Sequence, residues 1–167
     1  MTYRYFCYGS SLDDEHFAGW ANEHGYSGRT LGEGQPAMLS DQELAIVVPS
    51  RYWMGAVGTL VPRPGAIVYG VLFNLADEDA EMIRHKEGVA SGLYRELDVE
   101  VEVGVGPTTT MQLVRGHTFV AAPERLAAGS SPPSQRWLER VVRGGRAHGL
   151  PSTWLDSIEE LAKRLPG

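Results

Sequence analysis

Apolar positions along the chain come in short runs that glycine and proline interrupt, and their period switches between two and about four. Residues 3–8, with Tyr3, Tyr5, Phe6, Cys7 and Tyr8, are aromatic-rich and break at Gly9-Ser10-Ser11. That is the pattern of a buried strand entering a tight loop. The acidic start of residues 13–20 predicts a short helix, since carboxylates favour a helix N-terminus. Residues 25–35 carry four glycines and are expected to be irregular. Within residues 36–49, the run Leu44-Ala45-Ile46-Val47-Val48 predicts a buried strand. Residues 57–61 and 67–75 predict two more, separated by the turn signal Pro62-Arg63-Pro64-Gly65.

The second of these strands feeds a short helix that starts at Asp77 and ends at Glu87-Gly88-Val89. In residues 94–103, Leu97, Val99, Val101 and Val103 alternate with acidic residues, as a half-exposed strand requires. Residues 111–121 predict the last strand, and residues 127–134, rich in Ser, Gly and Pro, a loop. A helix is expected over residues 135–143. Gly149-Leu150-Pro151 then breaks the chain before a closing helix with Leu155, Ile158, Leu161, Ala162 and Leu165 on one face. With no repeat and no linker between two cores, the expectation is one α+β domain over residues 1–167.

At 167 residues the chain has the size of a domain with a full core, and 43% hydrophobic with 22% charged residues is ordinary for a soluble protein. A net charge of −6 argues against nucleic acid or an anionic membrane as partner. No apolar run approaches the ~20 residues that span a bilayer, and the first residues lack a signal-peptide core. The single cysteine, Cys7, rules out an intrachain disulfide and fits a reducing, cytoplasmic setting.

Two segments stand out chemically. Arg84, His85 and Lys86 suit the negative end of the helix they terminate, but Glu87 does not. Such a local violation marks either a functional carboxylate or an ordinary solvated one. The Gly9-Ser10-Ser11 loop is either a plain turn or a cradle whose N–H groups face a carboxylate or carbonyl oxygen. Cys7, between Phe6 and Tyr8, reads as a small core residue rather than a nucleophile. The five histidines have no metal-ligand spacing, so no metal site is expected. Neither a nucleophile-elbow nor a P-loop motif occurs.

Five motifs in order, from Tyr5 to about Leu161, resemble the γ-glutamyl cyclotransferase family. They are Tyr5-Phe6-Cys7-Tyr8-Gly9-Ser10-Ser11-Leu12; Trp53-Met54-Gly55-Ala56-Val57-Gly58 with Gly70-Val71-Leu72-Phe73; Glu87, Gly88, Val89, Gly92 and Tyr94; Pro132-Pro133-Ser134-Gln135-Arg136-Trp137; and His148-Gly149-Leu150-Pro151. The resemblance implies a small mixed β-barrel-like sheet with peripheral helices. It implies a γ-glutamyl amide as small-molecule partner, cyclised to 5-oxoproline by attack of its own α-amine, with no metal and no cofactor. Glu87 falls on the family's acid/base glutamate. Tyr5, Phe6, Cys7, Tyr8, Gly9 and Ser10 fall on its substrate loop, and Trp137 on an aromatic that closes over the substrate. A homodimer is compatible with it.

The chain departs from the family at Ser11 (usually Asn), at Ala56 and Gly58, at Trp137 (usually Tyr), and at Thr118, where relatives often carry Tyr. The reaction class is therefore better specified than the leaving group. That group can be an amino acid of a dipeptide, a simple amine, or a natural product, as in the deprotecting cyclotransferase of butirosin-type aminoglycoside biosynthesis. The alternative is a non-catalytic small-molecule binder of the same fold.

Overall fold

Five strands close into a barrel in the order β1-β3-β2-β4-β5 in a computed structural model that describes residues 2–104, 110–126 and 131–164. Residues 127–130 of the loop expected over 127–134, and Leu165 of the closing helix, lie outside the described residues. Strand β1 (Thr2–Cys7) runs antiparallel to the end of β3 (Gly55–Ala76), from Thr2 opposite Ala76 to Cys7 opposite Val71. Strand β2 (Gly34–Ser50) pairs along β3 as one long hairpin. The hairpin β4 (Tyr94–Gly104) and β5 (Met111–Ala121) joins β2 at Ala37 and Met38 on one side. On the other it closes onto β1 through the parallel pair Tyr5–His117. This is the expected small barrel of mixed strand direction with helices outside it.

The sequence predicts a turn at residues 62–65 between two strands, but β3 runs straight through it. Opposite the single residue Asp41, β3 spends the four residues between Pro62 (paired with Gln42) and Ile67 (paired with Ser40). Asp41 adopts φ 61° and Gly65 φ 82°, and the Asp41 carboxylate accepts from the Gly65 N–H at 2.9 Å. The turn chemistry is therefore real, but it is spent on a bulge inside one ladder.

Helices α1 (Asp14–Glu23), α2 (Ala80–Lys86), α3 (Pro123–Leu126), α4 (Gln135–Ala147) and α5 (Ser152–Arg164) lie around the barrel. Helix α4 outruns its predicted end at residue 143, and Gly144 and Gly145 within it are packing positions. A Cβ on Gly144 would run into the backbone of Leu12 and Asp13. The buried carboxylate of Asp13 caps α1 through the His16 N–H and pairs with Arg140 of α4 at 3.3 Å, which fixes the Ser10–Leu12 turn against that helix. Burial alone would raise the Asp13 carboxyl, but the His16 N–H and the Arg140 and Arg143 guanidiniums hold it below its ordinary value. Among the described residues, no helix is long and apolar enough to cross a membrane.

Candidate active site

Glu87 owes its position to the way α2 ends. It is the C-cap, in helical conformation, and Gly88 follows at φ 68°. The Gly88 N–H bonds back to the His85 carbonyl and the Val89 N–H to that of Arg84, each at 3.1 Å. This pairing is the Schellman motif, which needs a left-handed residue after the cap. Gly92, at φ 74°, turns the chain again so that Tyr94 starts β4 beside Glu87. The Glu-Gly-Val-x-x-Gly-x-Tyr spacing is thus a fold device that delivers a carboxylate and a phenol to one place.

That place is a cavity of about 730 Å³ at one end of the barrel. Glu87, Tyr5, Tyr8, Tyr94 and Thr118 line its inner part, and the Gly9–Ser11 loop faces them. Tyr5 donates to Glu87 Oε1 at 3.1 Å, while Tyr8 and Tyr94 donate to the carbonyls of Phe119 and Gly58 at 2.6 and 2.7 Å. Thr118 donates to the Phe6 carbonyl at 2.8 Å. Glu87 keeps some accessible surface where it borders the cavity, but protein encloses it elsewhere. Desolvation raises its pKa above the ordinary glutamate value, and the neighbouring Lys86 charge and the Tyr5 hydrogen bond offset only part of this. Burial pushes all three phenols upward, so they stay neutral donors.

A second pair of motifs, 80 residues apart in the chain, forms one wall. The Ala56 N–H donates to Pro132 O and the Ser134 N–H to Ala56 O, both at 2.8 Å. Gly55 has no room for a Cβ against Pro132 and Ser134. The Ser134 hydroxyl donates to Trp53 O at 2.6 Å and accepts from the Trp137 N–H at 3.1 Å, which caps α4. The Trp137 ring, 4% exposed, then lies over Gly58 and against Gly9. The Gly58 and Trp137 departures are therefore one exchange of volume, with the missing side chain of one making space for the ring of the other.

Of the residues expected from the sequence, Glu87, Tyr5, Tyr8, Gly9, Ser10 and Trp137 meet at the cavity. Phe6 and Cys7 are not among the residues that line it. Phe6 is fully buried against Gly70, and Cys7 is a buried free thiol that burial pushes up to about 12. A strand turns successive side chains to opposite faces, so a contiguous motif cannot all face one cavity. Sequence reasoning did not single out His16, Trp20 or Lys86, which also line the cavity. Nothing in their spacing marks them, because they come from two separate helices. Among the described residues, no group of three His, Cys, Asp or Glu could hold a metal ion.

A comparison with known families matches residues 67–158, more than half of the chain, to the AIG2-like family. Human γ-glutamylcyclotransferase is 24% identical over 112 residues, which cover 67% of this chain and 55% of the human protein. The chain thus spans about half the length of the curated relatives it matches. A solved structure named γ-glutamyl cyclotransferase superposes with a TM-score of 0.75 at 23% identity, covering 99% of this chain and 89% of the other. A yeast γ-glutamyl cyclotransferase specific to glutathione superposes at 0.62 with 13% identity, covering 98% and 96%. These likenesses establish the same fold.

Proposed function

The chain belongs to the AIG2-like family, and from that premise we propose that it is a γ-glutamyl cyclotransferase, converting a γ-glutamyl amide to 5-oxoproline and a free amine. The observation that carries this reading is the Glu87 carboxylate, enclosed beside an open cavity, hydrogen-bonded by Tyr5 and with its pKa held above the ordinary glutamate value.

A γ-glutamyl group carries its nucleophile, the α-amine, within reach of its own γ-carbonyl. The protein has to fold the substrate so that the two meet, and to move protons. Glu87 takes a proton from the α-ammonium. The freed amine attacks the γ-carbonyl carbon, and the carbonyl electron pair moves onto oxygen. When the tetrahedral intermediate collapses, the bond to the departing nitrogen breaks and Glu87 returns its proton to that nitrogen. The ring nitrogen gives up its excess proton to the released amine, which leaves a neutral lactam and an ammonium. A desolvated carboxylate with raised pKa suits both steps better than a surface glutamate.

Tyr5 orients the carboxylate. The Ser10–Leu12 turn starts at the cavity, and the first N–H groups of any helical turn lack an acceptor within it. That of Ser10 can hold the substrate α-carboxylate or the oxyanion, while the Gly9 N–H faces the Cys7 thiol. Thr118, where a larger side chain is usual in the resembling family, leaves more room in the inner part of the cavity.

The test is 5-oxoproline release from a panel of γ-glutamyl dipeptides and γ-glutamyl amines, with no metal or cofactor added. Wild type releases it from at least one class, and Glu87→Gln loses ~10²–10⁴-fold in turnover. Near-normal turnover by that variant would end the proposal.

A further inference from the structure

The proposed reaction leaves one half-buried cation without a task. Lys86 precedes Glu87, but its ammonium donates at 3.4 Å to His16 Nε2 on α1 and lies 5.7 Å from the centre of the Trp20 ring. Among the described residues Lys86 forms no ion pair, and its hydrogen-bond partner is an imidazole. His16 is held neutral: burial, then the Lys86 charge, push it down to about 4, so Nε2 accepts. Desolvation depresses Lys86 itself, with Glu87 opposing. Glu87 is the neighbouring anion, but it forms no ion pair with Lys86. The ammonium, with a neutral acceptor on one side and an aromatic face on another, therefore has no carboxylate in direct contact among the described residues.

The direction the pair faces is fixed by its neighbours. The His16 ring lies 4.8 Å from that of Trp53, which packs edge-on to Tyr52 at 5.1 Å, and Tyr52 is 60% exposed. Lys86, His16, Trp53 and exposed Tyr52 thus form one connected wall of the same cavity. Cyclisation has to occur at enclosed Glu87, so the departing half of the substrate extends along this wall. The charge of the cavity agrees. The protein carries −6 overall, yet the charged residues that line the cavity besides Glu87 are Arg51, Lys86 and Arg125.

We infer that Lys86, oriented by His16, and the ring wall of Trp20 and Trp53 form the subsite for the departing amine, and that this amine is an aromatic amino acid whose carboxylate binds Lys86. A γ-glutamyl group with a small aliphatic partner adds no ring to this cluster, in which Trp20 stacks on His24 and Tyr26 and Trp53 meets His16 and Tyr52. An aromatic side chain extends this cluster where Trp20 and Trp53 line the cavity, while its carboxylate pairs directly with Lys86. The inference rests on the cyclotransferase reading and deepens it.

The experiment compares three donors, γ-glutamyl-phenylalanine, its C-terminal carboxamide and γ-glutamyl-alanine, by initial rate of 5-oxoproline formation. With wild type, kcat/KM for the free acid exceeds that of the carboxamide about tenfold or more, mainly through KM, as loss of one charge-assisted hydrogen bond requires. It also exceeds that of the alanine compound. Lys86→Met brings the acid-to-carboxamide ratio close to one, and Lys86→Arg, which keeps the charge, retains the preference. Equal use of acid and carboxamide by wild type, an unchanged ratio in Lys86→Met, or equal use of the alanine compound would each overturn the inference. If none of the three releases 5-oxoproline while another donor of the wider panel does, the inference fails and the cyclotransferase reading stands; no release from the whole panel overturns that reading itself.

Discussion

Replacing Gly58 by alanine tests whether the cavity wall is set by one exchange of volume between β3 and α4. A Cβ there would lie 2.6 Å from Cη2 and 3.2 Å from Cζ2 of Trp137, and 2.7 Å from Cδ1 of Leu44. The Leu44 methyl ends a flexible side chain and can turn aside. The Trp137 ring is a rigid plate, 4% exposed, tied at its backbone to the Ser134 cap, and has to shift bodily. Overpacking of this kind costs about 1–3 kcal/mol, and loss of glycine's unfolded-state freedom returns about 0.4–1. A net loss of about 1–2 kcal/mol remains, or roughly 2–8 °C in Tm at this chain length.

The assay is thermal and urea unfolding of wild type, Gly58→Ala, Trp137→Phe and the double variant. Trp137→Phe removes the ring atoms that the Cβ would strike, so the double variant recovers about 1–2 kcal/mol relative to the sum of the singles. Gly58→Ala alone also lowers turnover, because the displaced ring moves into the cavity. Single costs that add within about 0.5 kcal/mol would refute the coupling.

Three further outcomes follow from the same geometry. Tyr5→Phe removes a hydrogen bond that favours the ionised carboxylate, so the acidic limb of the kcat/KM profile, where activity rises with pH as Glu87 ionises, moves to higher pH. An unmoved limb would detach Glu87 from that limb. Glu87→Gln is more stable than wild type at neutral pH. The folded pKa of Glu87 lies above its unfolded value, so its contribution favours folding at low pH and is lost as pH rises through the folded pKa. The gap between the two unfolding midpoints therefore widens with pH, and a gap that narrows contradicts the burial argument. Gly88→Ala forces a side chain to φ 68° with its Cβ 2.7 Å from Leu93 Cδ1, costs about 2 kcal/mol and displaces the Glu87 cap, so stability and turnover fall together.

What the sequence discloses of this fold depends on how local the deciding interaction is. The helix before Glu87 is legible because its stop, Gly88, acts on adjacent residues. The alternation of Leu97, Val99, Val101 and Val103 is legible for the same reason. The bulge in β3 is hidden because it needs Asp41 on another strand, so Pro62-Arg63-Pro64-Gly65 looks like an ordinary turn. Gly144 becomes a packing position only when Leu12 and Asp13 arrive against it. The site divides in the same way. Motif order brings Glu87 and Gly9–Ser10 to attention, but a run of letters cannot say that Phe6 and Cys7 turn away from the cavity. The contact of His16 on α1 with Lys86 on α2 exists only once the barrel has closed, and no spacing along the chain records it.

The central claim is that Glu87 drives an intramolecular attack rather than hydrolysis, and product analysis in ¹⁸O-labelled water tests it most directly. In cyclisation the γ-carbonyl oxygen stays with its carbon and water takes no part. Wild type should release one unlabelled 5-oxoproline for each amine set free, and Glu87→Gln should release neither at a comparable rate. Glutamate carrying ¹⁸O in its γ-carboxylate, or undiminished 5-oxoproline from Glu87→Gln, would contradict the account.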